Sequence, residues 1–371
     1  MIVATVKEIK NHEYRVGILP VFAKEYIKHG HTVLVEKGAG IGVGATDDMY
    51  IAAGATIVDS VDEIFDKAQM IVKVKEPQPE EVKKLRQDCV LYTYLHLAAD
   101  LELTKGLQQS GSICIAYETV TNDHGGLPLL LPMSEVAGNM SVQLGAHCLE
   151  KEQGGKGILL AGVPGTRRGH VVILGGGTAG TGAARIAVGM GAKVTILDKS
   201  LSRLKELDIL FGNRIHTRFA ITEAFEEVCS TADLVIGSIL IPGATAPKVV
   251  TREILRKMEP KSVIVDISID QGGCFETSRP TSHSNPTFIE ENIIHYCVTN
   301  MPGAVPQTST IALNNATLQY GLEIADKGWK KALLENAHLR NGLNVCKGKV
   351  TYETVAKDLN LQYVPAAEFL Q

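Results

Sequence analysis

Apolar residues in this chain fall into short, β-branched runs set between amphipathic stretches. In residues 1–130 the runs Ile2–Val6, Thr32–Glu36, Met70–Lys75, Cys89–Tyr94 and Ser112–Tyr117 read as strands. Val21–His29, Asp47–Ala53, Val61–Lys67, Pro79–Arg86 and Asp100–Gln109 have helical spacing and lie between them. A longer helical pattern, Ser134–Lys151, leads into a second alternation. Its predicted strands are Val171–Leu174, Val194–Leu197, Arg214–Phe219, Leu234–Ile239, Ser262–Ile269 and Ile294–Asn300, the strand count of a complete Rossmann unit. Beyond Pro306 only helices are predicted: Ser309–Asp326, Trp329–Arg340 and Tyr352–Leu359. Strand–helix alternation on this scale specifies an α/β protein with two doubly wound, parallel-sheet, Rossmann-like domains and a cleft between them. The expected division is a discontinuous substrate domain, 1–130 plus 307–371, and a nucleotide-binding domain, 131–306, that includes the connecting helix.

The second alternation opens on a motif with chemical content. After Val171-Val172-Ile173-Leu174 comes Gly175-Gly176-Gly177-Thr178-Ala179-Gly180, a G-x-G-x-x-G, then a helical pattern through Met190 and a second run ending on Asp198. Gly175 permits a tight turn, Gly177 lets a pyrophosphate approach the backbone, and Gly180 lets helix and strand pack closely. The helix N-terminus offers N–H donors and partial positive charge to phosphates. Asp198 is placed to accept from a ribose 2′-hydroxyl and to repel a 2′-phosphate, which favours NAD over NADP. Lys199 and Arg203 beside it qualify that preference, although Arg203 can instead lie against an adenine ring.

Composition narrows the function class. A net charge of -4 provides no basic field for nucleic acid or anionic membrane. No apolar run approaches the roughly 20 residues that span a bilayer. The N-terminus is charged too early for a signal peptide. Seven scattered cysteines without a C-x-x-C suit free thiols in a reducing cytoplasm, and no metal site is expected.

Ligands of open parallel sheets bind beyond the carboxyl ends of the strands. That rule selects Arg15 past the first strand, Lys75 after Met70–Val74, and His96 after Val90–Leu95. In the second domain it selects Asp270 after Val263–Ile269 and Asn300 after Ile294–Thr299. Two cations can hold a carboxylate and polarise a carbonyl or imine carbon. A histidine can move the proton that accompanies hydride transfer, and Asp270 can steer water or ammonia. The set suits amino-acid oxidation without naming a substrate.

These residues sit in recognisable blocks: Lys7–Asn11 with Arg15, Lys73–Pro77, Tyr94–Ala98, Pro132–Gly138, Ile269–Gly273 and Asn300–Pro306. Over essentially its full length the chain resembles the bacterial L-alanine dehydrogenases. The same blocks are echoed more loosely in the proton-translocating nicotinamide nucleotide transhydrogenases. The resemblance implies that Arg15 and Lys75 bind the carboxylate and carbonyl of alanine or pyruvate, with Asn300 beside them, while His96 and Asp270 carry acid–base duty. It further implies that Met133 closes on the substrate methyl. Ser134, Gly175, Gly177, Thr178, Ala179, Gly180, Asp198, Arg203, Ile239, Leu240, Ile267, Ser268, Ile269, Asp270, Arg279, Val298, Thr299, Asn300 and Met301 would line an NAD site. Such enzymes are cytoplasmic homohexamers that interconvert L-alanine with pyruvate and ammonia. Four positions depart from the family pattern: the second and fifth places of the Gly-Gly-Gly-Thr-Ala-Gly loop, where Ala and Val are commoner, Ala220 where many members have serine, and Lys327 where some have a metal-associated histidine. The competing expectations are a transhydrogenase NAD-binding subunit and a non-catalytic NAD-dependent sensor.

Overall fold

The computed structural model describes residues 1–239 and 245–370. Their contacts divide the chain into two units, Met1–Met133 with Val305–Gln371, and Ser134–Ala304.

The first unit is built on β1 (Ile2–Thr5), β2 (Thr32–Glu36), β3 (Thr56–Val58), β4 (Met70–Val72), β5 (Val90–Thr93) and β6 (Ile113–Ala116). All six run parallel, in the order β6-β5-β4-β1-β2-β3. The second unit contains β7 (His170–Leu174), β8 (Lys193–Asp198), β9 (His216–Phe219), β10 (Leu234–Gly237), β11 (Val263–Asp266), β12 (Thr287–Glu290) and β13 (Ile293–Tyr296). Their order is β12-β13-β11-β10-β7-β8-β9, with only β12 antiparallel. Both sheets therefore share the Rossmann strand order. It reverses between β1 and β4 in one and between β7 and β10 in the other, which marks two switch points for ligands.

Burial follows the two-residue period of each strand. Val171, Ile173, Val194, Ile196, Leu234, Ile236, Val263 and Val265 fill the core on one face of the second sheet. The alternate residues Val172, Leu174, Leu197, Val235 and Ile264 fill the core on the other. Helices cover both faces, so these strands read as continuous apolar runs. Each fully buried Val or Ile contributes about 1.5–3 kcal/mol.

The structure corrects several sequence expectations. The sequence pattern predicts only helices beyond Pro306, yet β14 (Leu343–Cys346) and β15 (Lys349–Val350) extend the first sheet, β14 antiparallel to β6. Lys347 and Gly348 form the two-residue turn between them with φ of 48° and 82°, the primed-turn geometry of a tight hairpin. The connecting helix runs Leu131–Cys148 rather than Ser134–Lys151. The expected strand Ser262–Ile269 stops at Asp266, whose side chain accepts from Ser268 N at 3.0 Å and turns the chain into a 3-10 helix, Ile267–Gln271. Asp270 thus sits on that turn, past the end of the strand.

Candidate active site

In the second unit the glycine loop leaves β7 at Gly175, whose φ of 97° is left-handed and disfavours any side chain. A Cβ at Gly180 would lie 1.9 Å from Gly175 O, so only glycine allows the helix Thr178–Gly189 to press against the loop. Gly177 caps that helix with no side-chain acceptor on its first turn, and a Cβ there would meet nothing within 4 Å. Uncapped first-turn N–H groups facing open space are what a pyrophosphate needs. Asp198, half-buried at the end of β8, accepts from Gly176 N at 2.7 Å through one oxygen and from Ser200 N at 2.8 Å through the other. A carboxylate offers about four acceptor positions, so capacity remains for a ribose hydroxyl. Arg203 donates to Gly176 O and Thr181 Oγ1, both at 2.7 Å, and pairs with Glu206. Asp198 and Arg203 thus both hold the loop at Gly176. The groups present fit a dinucleotide.

The switch point itself is tied by Ser238, whose hydroxyl lies 2.9 Å from both Leu174 O and Gly175 O. Ser268 donates to Ile239 O at 2.8 Å, while Leu240 lies outside the described residues. The turn bearing exposed Asp270 is organised by Asp266, fully buried, which accepts from Ser268 N, Cys274 N and Ser278 Oγ at 3.0, 2.9 and 2.6 Å. Burial pushes the Asp266 carboxyl up despite those donors. Arg279 stacks its guanidinium 4.0 Å over the Phe288 ring. Val298 and Met301 are buried, and Asn300 has a φ of 66° with its carbonyl accepting from His283 Nε2 at 3.1 Å. The helix Leu131–Cys148 carries half-buried Ser134.

The first unit gathers its candidates at the carboxyl ends of β1, β4, β5 and β6. Arg15 is 2% exposed, and the Nε and Nη2 edge of its guanidinium meets Glu13 in a two-point pair at 2.7 and 2.6 Å. Burial alone would lower the arginine, but the Glu13 pair outweighs it and raises the net value. Nη1 faces Met133 Sδ at 3.0 Å, a weak acceptor. Lys75 is 7% exposed, with Nζ 4.0 Å from Glu76 Oε2. His96 is exposed with a left-handed φ of 51°. Glu118 holds that conformation by accepting from His96 N at 2.6 Å and Leu95 N at 3.1 Å. The imidazole stacks on Tyr94 with 5.8 Å between ring centres and 8° between planes. Tyr94 is anchored to Leu129 O, and burial drives its phenol far above the usual range.

Arg15, Lys75, His96 and Met133 thus belong to the first unit, and the glycine loop, Asp198, Asp270 and Asn300 to the second. Sequence reasoning missed Glu8, Glu13, Lys73, Glu81, Tyr94 and Glu118. Applying the strand-end rule to every strand would have found two of them, because Glu8 follows β1 and Glu118 follows β6.

A Rossmann unit with an open phosphate loop, joined in one chain to a second unit of the same strand order with cations at its strand ends, has the build of a two-domain oxidoreductase. The family models agree: alanine dehydrogenase/PNT, N-terminal domain, matches residues 4–137, and alanine dehydrogenase/PNT, C-terminal domain, matches residues 141–353. The chain belongs to this family. It is 55% identical over 370 residues to an alanine dehydrogenase of Halomonas elongata, with all of both chains covered. It is 53% identical over 372 residues to that of Bacillus subtilis, covering 100% of this chain and 98% of the relative. A solved L-alanine dehydrogenase superposes with a TM-score of 0.93 at 48% identity, covering 97% of this chain and 99% of the other. A transhydrogenase from Sinorhizobium meliloti shares the fold alone, with a TM-score of 0.80 at 22% identity, covering 95% and 99%.

Proposed function

We propose that this protein is an NAD-dependent L-alanine dehydrogenase, interconverting L-alanine and water with pyruvate and ammonia. The observation that carries the reading is the Arg15–Lys75–His96 group at the strand ends of the first unit. It offers a fixed guanidinium, an ammonium and an exposed imidazole to one small carboxylate. Arg15 is held by Glu13 along one edge, which fixes the guanidinium for the substrate carboxylate. Met133 remains beside the substrate methyl. Lys75 holds the carbonyl oxygen and makes the attached carbon electrophilic.

The Gly175–Gly180 loop would hold NAD, which would supply the hydride acceptor or donor for the substrate α-carbon. Gly177 gives its pyrophosphate room, Asp198 selects its ribose hydroxyls, and Ser134, Arg203, Ile239, Ile267–Asp270, Arg279 and Val298–Met301 complete its surroundings. In the aminating direction ammonia adds to the carbonyl carbon of pyruvate, forming a carbinolamine. His96 protonates the carbinolamine oxygen, water departs, and an iminium carbon remains. Asp270 steers ammonia inward and balances the iminium charge. In the deaminating direction the same groups run in reverse. His96 takes the proton as water adds to the iminium carbon.

We also propose a cytoplasmic homohexamer. All seven cysteines are buried free thiols, and among the described residues no helix is long and apolar enough to cross a membrane. A panel of L-amino acids, with NADH formation followed by absorbance and no second dinucleotide present, tests the proposal. Turnover with L-alanine above other side chains is expected. Hydrogen transfer only between two dinucleotides, or tight ligand binding without turnover, would overturn it.

A further inference from the structure

Beneath the Lys75 loop lies a charge group that substrate binding does not use. Lys73 Nζ sits 3.0 Å from Glu8 Oε2 and 2.8 Å from Glu81 Oε1, with side-chain exposures of 0%, 2% and 5% for Lys73, Glu8 and Glu81. Burying three charges costs several kcal/mol per ion even after relaxation, and well-packed apolar side chains commonly serve stability as well or better. Two carboxylates against one ammonium also leave the group unbalanced. Stability is therefore a poor account of it.

Its geometry gives a better one. β4 pairs with β1 only at Val3–Met70 and Ala4–Ile71. Past that point the β5 side of the chain keeps its partners, with Lys73 N donating to Tyr92 O at 3.1 Å and Tyr94 N to Val74 O at 3.3 Å. On the β1 side the ladder has ended, and the Glu8 side chain takes its place. Glu8 Oε1 accepts from Val74 N at 2.7 Å and, more weakly, from Lys75 N at 3.4 Å. The other oxygen of the same carboxylate is the one clamped by Lys73. Thr93 Oγ1 and Tyr117 Oη fix the neighbouring carbonyls, Lys75 O at 2.9 Å and Lys73 O at 3.0 Å.

We infer that Glu8 is a positioning residue for Lys75: its carboxylate, clamped by Lys73, substitutes for strand pairing and fixes the backbone from which Lys75 reaches the keto acid. This rests on the role given to Lys75 above. Glu81 acts one step further out, by holding Lys73.

The test measures kcat and pyruvate KM together with the NADH dissociation constant. Glu8→Gln has one acceptor oxygen, which can serve Lys73 or the Val74 and Lys75 amides but not both. Its pyruvate KM should rise about ten- to a hundredfold, the scale of an ångström-level misplacement. NADH affinity, which depends on the other unit, should stay at the wild-type value. Glu8→Asp keeps the charge and both oxygens but withdraws them by one methylene, so it provides a folded variant in which pyruvate KM should also rise. Glu81→Gln leaves the Glu8 bonds to Val74 and Lys75 in place and should keep a near-normal KM. A wild-type pyruvate KM in Glu8→Asp, or a rise in Glu81→Gln equal to that in the Glu8 variants, would overturn the inference. Lys75→Met is run in parallel. If it keeps wild-type kinetics, the reading of Lys75 itself has failed. If it is inactive while the Glu8 variants are normal, only the positioning role has.

Discussion

Two glycines three residues apart in the phosphate loop should respond to the same substitution in opposite ways. At Gly177 the backbone has φ of −65°, which any residue adopts, and an added methyl meets nothing within 4 Å. Gly177→Ala should therefore fold as the wild type, with the nucleotide-free Tm lowered by no more than about 2–4 °C, the cost of alanine in place of glycine at a helix N-cap. The methyl occupies the space through which a pyrophosphate reaches the first-turn N–H groups. Losing one or two charge-assisted hydrogen bonds, at about 1.5–3 kcal/mol each, weakens NADH by at least about tenfold. At Gly180 the methyl lands 1.9 Å from Gly175 O, with Ser238 Oγ at 2.9 Å, so helix and strand must separate. Overpacking of this kind costs about 1–3 kcal/mol or more. For a domain of this size each kcal/mol lowers Tm by about 2–4 °C. Calorimetric unfolding of the nucleotide-free protein and NADH fluorescence titration separate the two effects. An unchanged NADH dissociation constant in Gly177→Ala would refute the assignment of the loop to phosphate, however well the fold is explained.

Further outcomes follow from the same geometry. His96→Ala and Asp270→Asn should each lose most of kcat with circular dichroism unchanged, and full activity in either would remove that residue from the chemistry. Asp198→Ala should erode the preference for NAD over NADP by about tenfold or more, read as the ratio of kcat/KM for the two cofactors, because the repulsion of a 2′-phosphate is lost. Stability should fall in two acid windows. Burial pulls the His170 imidazole from 6.5 down to about 4, so the unfolded chain takes the proton first and stability declines as pH drops through that interval. Burial of Asp233 is outweighed by Arg167, Lys156 and the His170 N–H, which hold its carboxyl at about 2 against an ordinary 3.8. The stability it supplies is present above 3.8 and is lost as pH falls from there toward 2. Urea unfolding across pH should show both limbs, and His170→Gln should flatten the upper one alone.

The parts of the molecule legible in the sequence were those where one residue type has one physical use. The Gly175–Gly180 loop, its flanking apolar runs and the terminal Asp198 could be read because a strand buried on both faces, a left-handed turn and a helix start each demand particular residues. Arg15, Lys75 and His96 are selected because parallel sheets place ligands at strand ends, and the structure puts Lys75 and His96 just past β4 and β5. The hairpin β14–β15 was hidden because its pairing with β6 depends on chain from far earlier. The carboxylates Glu8, Glu118 and Asp266 were hidden for another reason. Each acts on backbone amides at short range, and although Glu8 and Glu118 follow strand ends, nothing in the sequence distinguishes such an acid from an exposed one. Asp270 was read as a strand-end residue because nothing in Val263–Ile269 reveals that Asp266 turns its side chain back on Ser268 N and ends the strand early.

Hydrogen should pass directly from the α-carbon of L-alanine to NAD on this chain. Purified protein supplied with L-alanine deuterated at that carbon, and with NAD alone, should yield pyruvate and NADH in equal amounts, with one deuterium in every NADH. Pyruvate formed without matching NADH, or NADH formed without deuterium, would contradict it.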